Sequence, residues 1–572
     1  MHVGAGFTLV PGITVPKNSP MPQRQELRTF INDATSLNIY LIGLECMQQT
    51  GTDQLLSYYL ISAIHGTDLV WDNDTGGNFN ESLGYCYHAH RLFPPWHRPY
   101  MSLYEKTILD VATQIVQGFP AGTQKNNHLA ALETWRMPYW DWAMDPSMPS
   151  VLRKKNIAVT KMQSGKLRRV TIPNPLYSYR LQIPNDIYVS ILDPPPFTIE
   201  TVRNPTVRNN KYVSRPTFTN NEIIENGPGL KTGVYDVLTN VIDYNEFSNT
   251  ADGPSSIEGV HNTVHFVVGG FDSRRELFGH MVFSGYAAFD PIFYLHHANV
   301  DRLFAMWQAL NPDSYLTDDT EQFPNQDTEL HPFRKTDDQY WTSRLARNIT
   351  AFGYTYPELS DWNQETVTAA VNDLYGPSQS IDKRRKRLLI PATVAKGALS
   401  TKYDEYKAQI QISNAAVKGS FGICVFFGEP SSDESNYTAD PNFVGLFGVF
   451  APKDAPPSHK KLIQGTVSLT EAVNKLISKK QLRDMTSESI RSYLNQNLRV
   501  RIIGDQSRGF DSANFQINVV SAELTVSNRK DVKPVWGQFS GIFKTLQTDL
   551  SHRTSFLPPS RVFPAAEIEE VD

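Results

Sequence analysis

The positions of the histidines constrain this chain more than any other feature of its sequence. Of its 14 histidines, eight lie in three short stretches. They are His65; His88, His90 and His97; and His261, His265, His296 and His297. An isolated histidine is more often structural than a ligand, but imidazoles gathered in this way are typical of a metal centre. The histidines therefore predict a metal site assembled from separate parts of the chain.

The spacing in the last stretch indicates which imidazoles converge. His261 and His265 are four residues apart, so on a helix they lie one above the other and can reach one metal. HxxxH alone is a weak signal, because this spacing also occurs by chance. It gains weight from a third candidate donor further along the chain.

That candidate lies in a segment that begins with Asp290, a capping residue, followed by proline at the first helical position, and we predict a helix there. Another helix is predicted from Pro99 to Gly118. Within the first of these helices, His297 and Asp301 share a face, so Asp301 is a candidate to orient a ligand or its surroundings. His296 points about 100° away from His297. We expect one ligand and one structural histidine in this pair.

The chemistry of these donors leaves the metal open. Neutral imidazole binds copper, zinc, iron and nickel. Few aspartate or glutamate residues lie beside the histidines, which disfavours a carboxylate-rich iron or manganese site. The zinc-peptidase pattern HExxH does not occur in the sequence.

The length of 572 residues exceeds what one hydrophobic core usually serves, so we expect two domains. The first part of the chain carries mainly helical patterns, with loop insertions expected over residues 145–235. Later segments alternate apolar and polar residues with the period of a strand. The predicted units are a mainly α-helical domain with a central helical bundle over 1–375, a linker over 376–394 and an antiparallel β-sandwich over 395–572.

Charge and cysteine content exclude several classes of protein. A formal net charge of −5 gives no general attraction to nucleic acid or anionic membranes. The three cysteines are odd in number and far apart, which suits a reducing compartment. The first residues lack the regions of a signal peptide, and no stretch reaches the roughly 20 apolar residues of a membrane helix. We expect a soluble intracellular protein with no nucleic-acid or membrane partner.

Two long motifs surround the histidines. The first reads HAHRLFPPWHRPYMSLYE over residues 88–105, and the second reads DPIFYLHHANVD over 290–301. MPYWDWAM at 137–144 and FGYTYPEL at 352–359 accompany them. With these motifs in this order, the chain strongly resembles tyrosinases, also called polyphenol oxidases, especially those of mushrooms. The resemblance covers most of residues 40–360.

The resemblance implies a binuclear type-3 copper centre within the helical bundle, with dioxygen as co-substrate. In this mapping the ligands of copper A are His65, His88 and His97, and those of copper B are His261, His265 and His297. Three neutral imidazoles leave positions open on each copper, and the metal and dioxygen carry the oxidation while the protein supplies orientation and electrostatics. His90 and His296 are not ligands in this mapping.

The same resemblance gives roles to neighbours of the ligands. It implies a thioether between Cys86 and His88, with an ordinary buried cysteine as the alternative. It also implies that Glu258 and Asn262 hold a water that helps to deprotonate a monophenol, whose hydroxyl has a reference pKa near 10. The alternative for Glu258 is a plain carboxylate at a helix start.

Three residues are expected at the substrate entrance. Phe266 is a candidate contact for a substrate ring. Ser284 aligns with a small gate residue over copper A, where a bulky aromatic would obstruct substrate. His280 is a candidate to line the entrance, and a role in stabilising its own loop is the alternative.

In relatives with a similar C-terminal sandwich, that domain covers the active-site mouth and an apolar or aromatic side chain occupies the substrate position. Such an enzyme is latent until it is cleaved. Phe443 is our prediction for that side chain here, with Tyr437 and Phe447 as alternatives. An exposed linker is open to proteolysis. Its basic run is the candidate cleavage region: Lys383, Arg384, Arg385, Lys386 and Arg387.

The resemblance thus implies a latent tyrosinase that hydroxylates monophenols, oxidises o-diphenols to o-quinones for melanin-type pigment, and is activated when its C-terminal domain is removed. Its implied partners are phenolic substrates, dioxygen and an activating protease, and a homo-oligomer is left open. One alternative is a catechol oxidase that performs only the second step. Another, from a different class, is an oxygen carrier like haemocyanin, which oxidises catechol slowly or not at all.

Overall fold

A computed structural model describes most of the chain. The described residues are 7–77, 79, 84–182, 200–209, 211–272, 277–377, 400–431, 434–452, 460–484, 486–505, 510–511, 514–544 and 554–556. Most of the predicted linker, including the basic run at 383–387, lies outside them. Within these ranges, no helix combines the length and apolar character that crossing a membrane requires.

Helices dominate the first part of the chain, as its apolar periodicity predicts. They are α1 (Leu27–Phe30), α2 (Ala34–Gln49), α3 (Tyr58–Ala63), α4 (Phe93–Gln117), α5 (Thr123–Thr134), α6 (Pro216–Thr239), α7 (Tyr244–Ser248), α8 (Ile257–Gly269), α9 (Ile292–Leu310), α10 (Ser343–Ala346) and α11 (Gln364–Tyr375). Short antiparallel hairpins are inserted between them. Their strands are β1 (Asn156–Gln163), β2 (Lys166–Pro173), β3 (Thr206–Arg208), β4 (Lys211–Val213), β5 (Phe271–Asp272), β6 (Leu277–Phe278), β7 (Glu329–Thr336) and β8 (Gln339–Thr342).

Helix α9 begins where the Asp-Pro pattern predicts. The carboxylate of Asp290 accepts a hydrogen bond from the backbone N–H of Ile292 at 3.1 Å. Every residue of α9 is buried, so this helix lies at the centre of the helical domain. Helix α4 starts six residues before Pro99, because Pro94 and Pro95 occupy its first turn, where a missing N–H is tolerated.

The expectation of loops throughout residues 145–235 is wrong. That stretch contains the β1–β2 hairpin and most of α6, which packs against α8 and α11. Its asparagines, glycines and Pro228 hide the helical period in the sequence. Ile223, Leu230 and Val234 nevertheless supply a buried face, so tertiary packing overrides the weak propensity.

The C-terminal part forms two sheets, and the predicted sandwich is confirmed. Its strands are β9 (Ser400–Ser413), β10 (Lys418–Phe427), β11 (Phe443–Val449), β12 (Leu462–Ser468), β13 (Leu498–Asp505), β14 (Gln516–Ser527), β15 (Val535–Trp536), β16 (Ser540–Lys544) and β17 (Thr554–Phe556). The strand orders are β11-β10-β13-β17 and β12-β9-β14-β15, with β16 also on β14. Pairing is antiparallel except between β13 and β17. Two predicted helices, α12 (Thr470–Ser478) and α13 (Ser487–Asn497), flank the sheets.

Strand β11 has one face in each half of the molecule. Phe447 and Val449 pack in the core between the two sheets. Leu446, on the opposite face, and Phe450, directly after the strand, pack in the core of the helical domain instead. Because side chains alternate along a strand, β11 packs the C-terminal domain against α6 and α8. We call this interface the seat of the C-terminal domain.

Candidate metal centre

Three histidines from separate elements form a first group. His65 follows α3, His88 lies in the loop before α4, and His97 lies in the first turns of α4. One ligand nitrogen from each lies within 4.8 Å of the others. The fold therefore converges residues that are up to 32 positions apart in sequence on one point.

A second group adjoins the first. His261 and His265, one turn apart on α8, face His297 of α9. Nε2 of His297 lies 3.1 Å from Nε2 of His261 and 3.3 Å from Nε2 of His265. Two imidazole nitrogens, each about 2.0–2.1 Å from a shared tetrahedral ion, are about 3.3 Å apart. The rings of His97 and His297 stack at 4.5 Å, so the two groups are neighbours.

Hydrogen bonds at Nδ1 orient the rings of His65, His97 and His265. The acceptors are the carbonyl oxygens of, in the same order, Ser284 at 2.7 Å, Phe93 at 2.8 Å and Met281 at 2.8 Å. Because Nδ1 carries the proton, Nε2 of each ring presents its lone pair to the centre. In the first group, none of the three Nε2 atoms has a hydrogen-bond partner among the described residues. Such orphaned lone pairs fit a bound cation.

Burial keeps these imidazoles neutral. It lowers the pKa of His65 to about 4 and that of His265 to about 3. The pKa values of the other four predicted ligands are lowered well below the usual range, again mainly by burial. Both groups consist of histidine alone within the described ranges. Neutral imidazole donors without carboxylate fit copper.

Two family models match the chain. The common central domain of tyrosinase matches residues 55–310, which include all six predicted ligands, and the tyrosinase C-terminal domain matches residues 405–521. The chain belongs to the tyrosinase family. It is accordingly a copper-dependent oxidoreductase of the tyrosinase and polyphenol oxidase type.

Relatives of this tyrosinase-family chain share its length. A tyrosinase of Podospora anserina is 28% identical over 85% of this chain and 97% of its own. Polyphenol oxidase 2 of Agaricus bisporus is 27% identical over 76% of this chain and 81% of its own. A mushroom tyrosinase whose crystal contained latent and active forms superposes with a TM-score of 0.77 at 23% identity, covering 96% of this chain and 99% of that one. The last likeness confirms the two-part fold.

His296 stacks on a ligand of the tyrosinase centre. Its ring is nearly parallel to that of His261, at 18° and 5.0 Å. One of its nitrogens lies within 4.8 Å of the ligand nitrogens of the second group. Neither of its ring nitrogens has a hydrogen-bond partner in the part of the chain that the structure describes.

Asp301 supports the surroundings of the ligands and does not contact a ligand itself. Its carboxylate accepts a hydrogen bond from Nε of Arg98 at 2.6 Å. It also accepts hydrogen bonds from the hydroxyls of Tyr354 at 2.5 Å and Tyr356 at 2.7 Å. A buried guanidinium attracts the short carboxylate more strongly than a neutral imidazole does. Because Arg98 follows a ligand on α4, the ion pair fixes α4 against α9.

Cys86 lies beside His88, as the predicted thioether requires. Its Sγ is 3.4 Å from Nδ1 of His88. Burial raises the pKa of the Cys86 thiol, so the thiolate is not the resting form. The thioether itself stays a prediction.

Glu258 and Asn262 lie on α8, and both are buried. Asn262 Oδ1 accepts a hydrogen bond from Nδ1 of His261 at 2.9 Å, so this amide orients a ligand. The carboxylate of Glu258 accepts hydrogen bonds from backbone N–H groups of Ala89 at 2.7 Å and Thr250 at 2.9 Å. Burial raises the pKa of Glu258 above its usual value.

The three predicted entrance residues differ in position. Phe266 is buried beneath the C-terminal domain, and a Cβ added to Gly422 would lie 2.6 Å from its ring. Ser284 is also buried, beside the first histidine group. His280 is buried and its Nδ1 accepts a hydrogen bond from the N–H of Val202 at 3.0 Å. It therefore ties two loops together, as the alternative role predicts, and its place at the entrance stays a prediction.

Phe450, not Phe443, faces the histidines. The ring centroid of Phe450 lies 4.3 Å from that of His265 and 5.0 Å from that of His88. Phe443 packs against Phe426, so its prediction is wrong. The two alternatives also lie elsewhere, since Phe447 is in the sandwich core and Tyr437 packs on Phe443.

Strand period was the signal that could have found Phe450. In LFGVFA, positions 446, 448 and 450 share one face. That face meets α8, where a Cβ added to Gly448 would lie 2.6 Å from the carbonyl oxygen of Asn262. The last aromatic on this face therefore reaches the metal centre.

Proposed function

We propose that this chain is a latent tyrosinase that hydroxylates monophenols to o-diphenols and oxidises o-diphenols to o-quinones with dioxygen. Its products feed melanin-type pigment. The single observation that carries the proposal is the ring of Phe450 against His265 and His88 at a centre of six neutral imidazoles. An aromatic ring at this point stands where a phenol ring would have to lie.

The residues of the chain prepare this site for a phenol. The six histidines would hold two copper ions, which when bound would supply the activation of dioxygen and the redox chemistry of the oxidation. Nδ1 hydrogen bonds hold four of the six imidazoles in place, so little reorganisation of these rings is needed when substrate arrives. Burial of Phe266 and the histidines excludes bulk water from the reacting ring.

Hydroxylation also needs a base for the phenol proton. Glu258 is the nearest candidate in the sequence to the second histidine group, and its pKa is raised by burial, which makes it a better proton acceptor. Asn262 keeps His261 in the tautomer that presents Nε2. These roles extend the family resemblance to this chain.

Latency follows from the same geometry. Phe450 belongs to the C-terminal domain, which reaches the helical core with an apolar face. Removal of that domain by a protease that cuts in the linker, with the basic run at 383–387 as the candidate region, would clear the phenol position. One relative supports this view, since a similar mushroom tyrosinase is described in latent and active forms.

A second candidate function, oxidation of o-diphenols alone, is favoured by one observation. Both carboxylate oxygens of Glu258 already accept hydrogen bonds, from Ala89 and Thr250. A carboxylate held in this way is a poorer base for a monophenol. Catechols do not depend on it as strongly, because their first hydroxyl proton is more acidic.

Oxygen uptake by the copper-loaded chain, before and after limited proteolysis, tests the proposal. We expect uptake with tyramine and with catechol, and both rates should rise on cleavage. Uptake with catechol alone, even after a trace of diphenol has removed any lag, would establish a catechol oxidase. A chain with two coppers that takes up oxygen with neither substrate would instead be an oxygen carrier.

A further inference from the structure

Two residues of the helical domain hold the carboxylate of Glu258 from opposite sides. The N–H of Ala89 donates to Oε1 at 2.7 Å. The N–H and the hydroxyl of Thr250 donate to Oε2 at 2.9 Å and 3.1 Å. The side chain is 1% exposed, so these contacts replace water at the carboxylate. Each oxygen therefore already accepts at least one hydrogen bond from the helical domain, which fixes the orientation of the carboxylate.

The C-terminal domain holds the carbonyl groups of the same two residues. Nζ of Lys461 donates to the carbonyl oxygen of Ala89 at 2.7 Å, and the N–H of Gln464 donates to that of Thr250 at 2.7 Å. Lys461 is itself fixed, because its N–H donates to Asn414 Oδ1 at 2.9 Å. Each of the two residues therefore has its carbonyl oxygen bound by the C-terminal domain and its N–H bound by Glu258.

We propose that Lys461 and Gln464 are positioning residues that lock Glu258 through the backbone of Ala89 and Thr250, so that the C-terminal domain blocks hydroxylation at a second point besides Phe450. The inference rests on the proposed function, in which Glu258 accepts the proton of a monophenol. It predicts that clearing the phenol position alone frees diphenol oxidation more than monophenol hydroxylation.

The backbone of Ala89 supports a lock that opens when the domain leaves. Its φ is +47°, in the left-handed region that a residue with a Cβ seldom adopts. Hydrogen bonds to the Lys461 ammonium and the Glu258 carboxylate are charge-assisted, and they hold the residue in this conformation from both sides. Loss of Lys461 removes one of them and lets the strained residue relax away from Glu258.

The ratio of monophenol to diphenol turnover in the uncleaved chain tests the lock. The background is F450A, which clears the phenol position while the domain stays attached. Adding K461M should raise the ratio several-fold above that of F450A alone. F450A/K461R should have the same ratio as F450A, because arginine keeps the positive charge. K460M is the matched control, because Lys460 is the exposed neighbour, and it should leave the ratio unchanged. An equal ratio in F450A and F450A/K461M would overturn the inference.

Cleaved samples separate this inference from the proposed function. Once the domain is removed, the K461M and K460M chains should have the same ratio as the wild type, because Lys461 has left with it. If the cleaved wild type oxidises catechol but never hydroxylates a monophenol, the proposed hydroxylation fails. The lock is then decided by a measurement that needs no turnover.

That measurement is hydrogen exchange at the amides of Ala89 and Thr250, the two that donate to Glu258. In the uncleaved chain both should exchange faster in K461M than in K460M. The amide of Gly448, which donates to the hydroxyl of Thr263 at 3.2 Å, reports whether the domain as a whole has lifted. Faster exchange at Gly448 as well would mean general undocking and would count against a specific lock, as would unchanged exchange at Ala89.

Discussion

The metal centre and the seat of the C-terminal domain are equally buried, yet they are held by different forces. The histidines are neutral, and short hydrogen bonds to backbone carbonyls within the helical domain fix three of them. The seat joins two domains through the apolar contacts of Leu446 and Phe450 and also through buried charges, such as Lys407 with Asp236 at 2.5 Å. A neutral centre tolerates changes of pH and salt, whereas charges buried at a seam make separation responsive to them. We therefore expect pH and salt to affect the docking of the C-terminal domain more than they affect the metal centre.

We expect the largest effect on the metal centre from the loss of a ligand. H297A should lower copper content to about one ion per chain and reduce oxygen uptake by more than the roughly 10–100-fold typical of an outer-shell change. The reason is that His297 holds the two Nε2 contacts of the second group. Copper analysis and oxygen uptake of the cleaved enzyme check this. H128A is the control and should keep two coppers, because the ring of His128 contacts Asn38 and Gln124 and belongs to neither group.

The buried ion pairs of Asp301 should matter more for the stability of the fold than for the oxidation reaction. D301N leaves Arg98 and Arg24 buried beside a neutral amide, since both guanidiniums pair with this carboxylate. We expect a loss of about 3–5 kcal/mol in the free energy of unfolding. Urea denaturation measures it. A change below about 1 kcal/mol would show that the arginine ion pairs contribute little and that the hydroxyls of Tyr354 and Tyr356 are sufficient partners for residue 301.

The seat is probed by F450A in the uncleaved chain. Removing the ring opens the space against His265, so catechol oxidation should rise severalfold above the uncleaved wild type. F443A is the matched control, since that ring packs on Phe426. Equal activation by both variants would mean that loosening the domain, and not vacating the phenol position, controls latency.

A milder test of the seat uses pH. Burial raises the pKa of Glu222 on α6 to about 7, opposed by hydrogen bonds from Thr438 and Tyr437 of the C-terminal domain and by Arg215. Glu225 raises it slightly. Once the domain lifts, water returns the pKa toward its ordinary value near 4.3.

The protonated carboxyl therefore favours the docked state. Its contribution is fully present below the ordinary pKa and is lost as pH rises through about 7. Uncleaved wild type should thus gain catechol oxidation between pH 5 and 8, by at most about tenfold per pH unit, relative to the cleaved enzyme at the same pH. E222Q should flatten this dependence. An unchanged slope in E222Q would assign it to other groups.

The same contrast explains what the sequence could predict. Of the six histidines, His88, His97 and His297 lie in the two long motifs, and His261 and His265 have helical spacing. Local pattern and resemblance together therefore sufficed, and only the resemblance assigned His65. Phe450 belongs to a contact between domains, and only the register of β11 selects it over Phe443. Asp301 was placed correctly on its helix face, but its partner Arg98 comes from α4, which no local pattern reveals. The helix α6 was missed because its stability comes from packing on α8 and not from its own residues.

The shared core has a consequence for the life of the active enzyme. Leu446, Phe426 and Phe450 count among the core residues of the helical domain, although the C-terminal domain supplies them. Once they leave, the surface of α6 and α8 that they covered becomes an apolar patch open to solvent, and such patches promote association. If proteolysis removes the domain as proposed, we expect the remaining catalytic domain to associate more readily than the uncleaved chain.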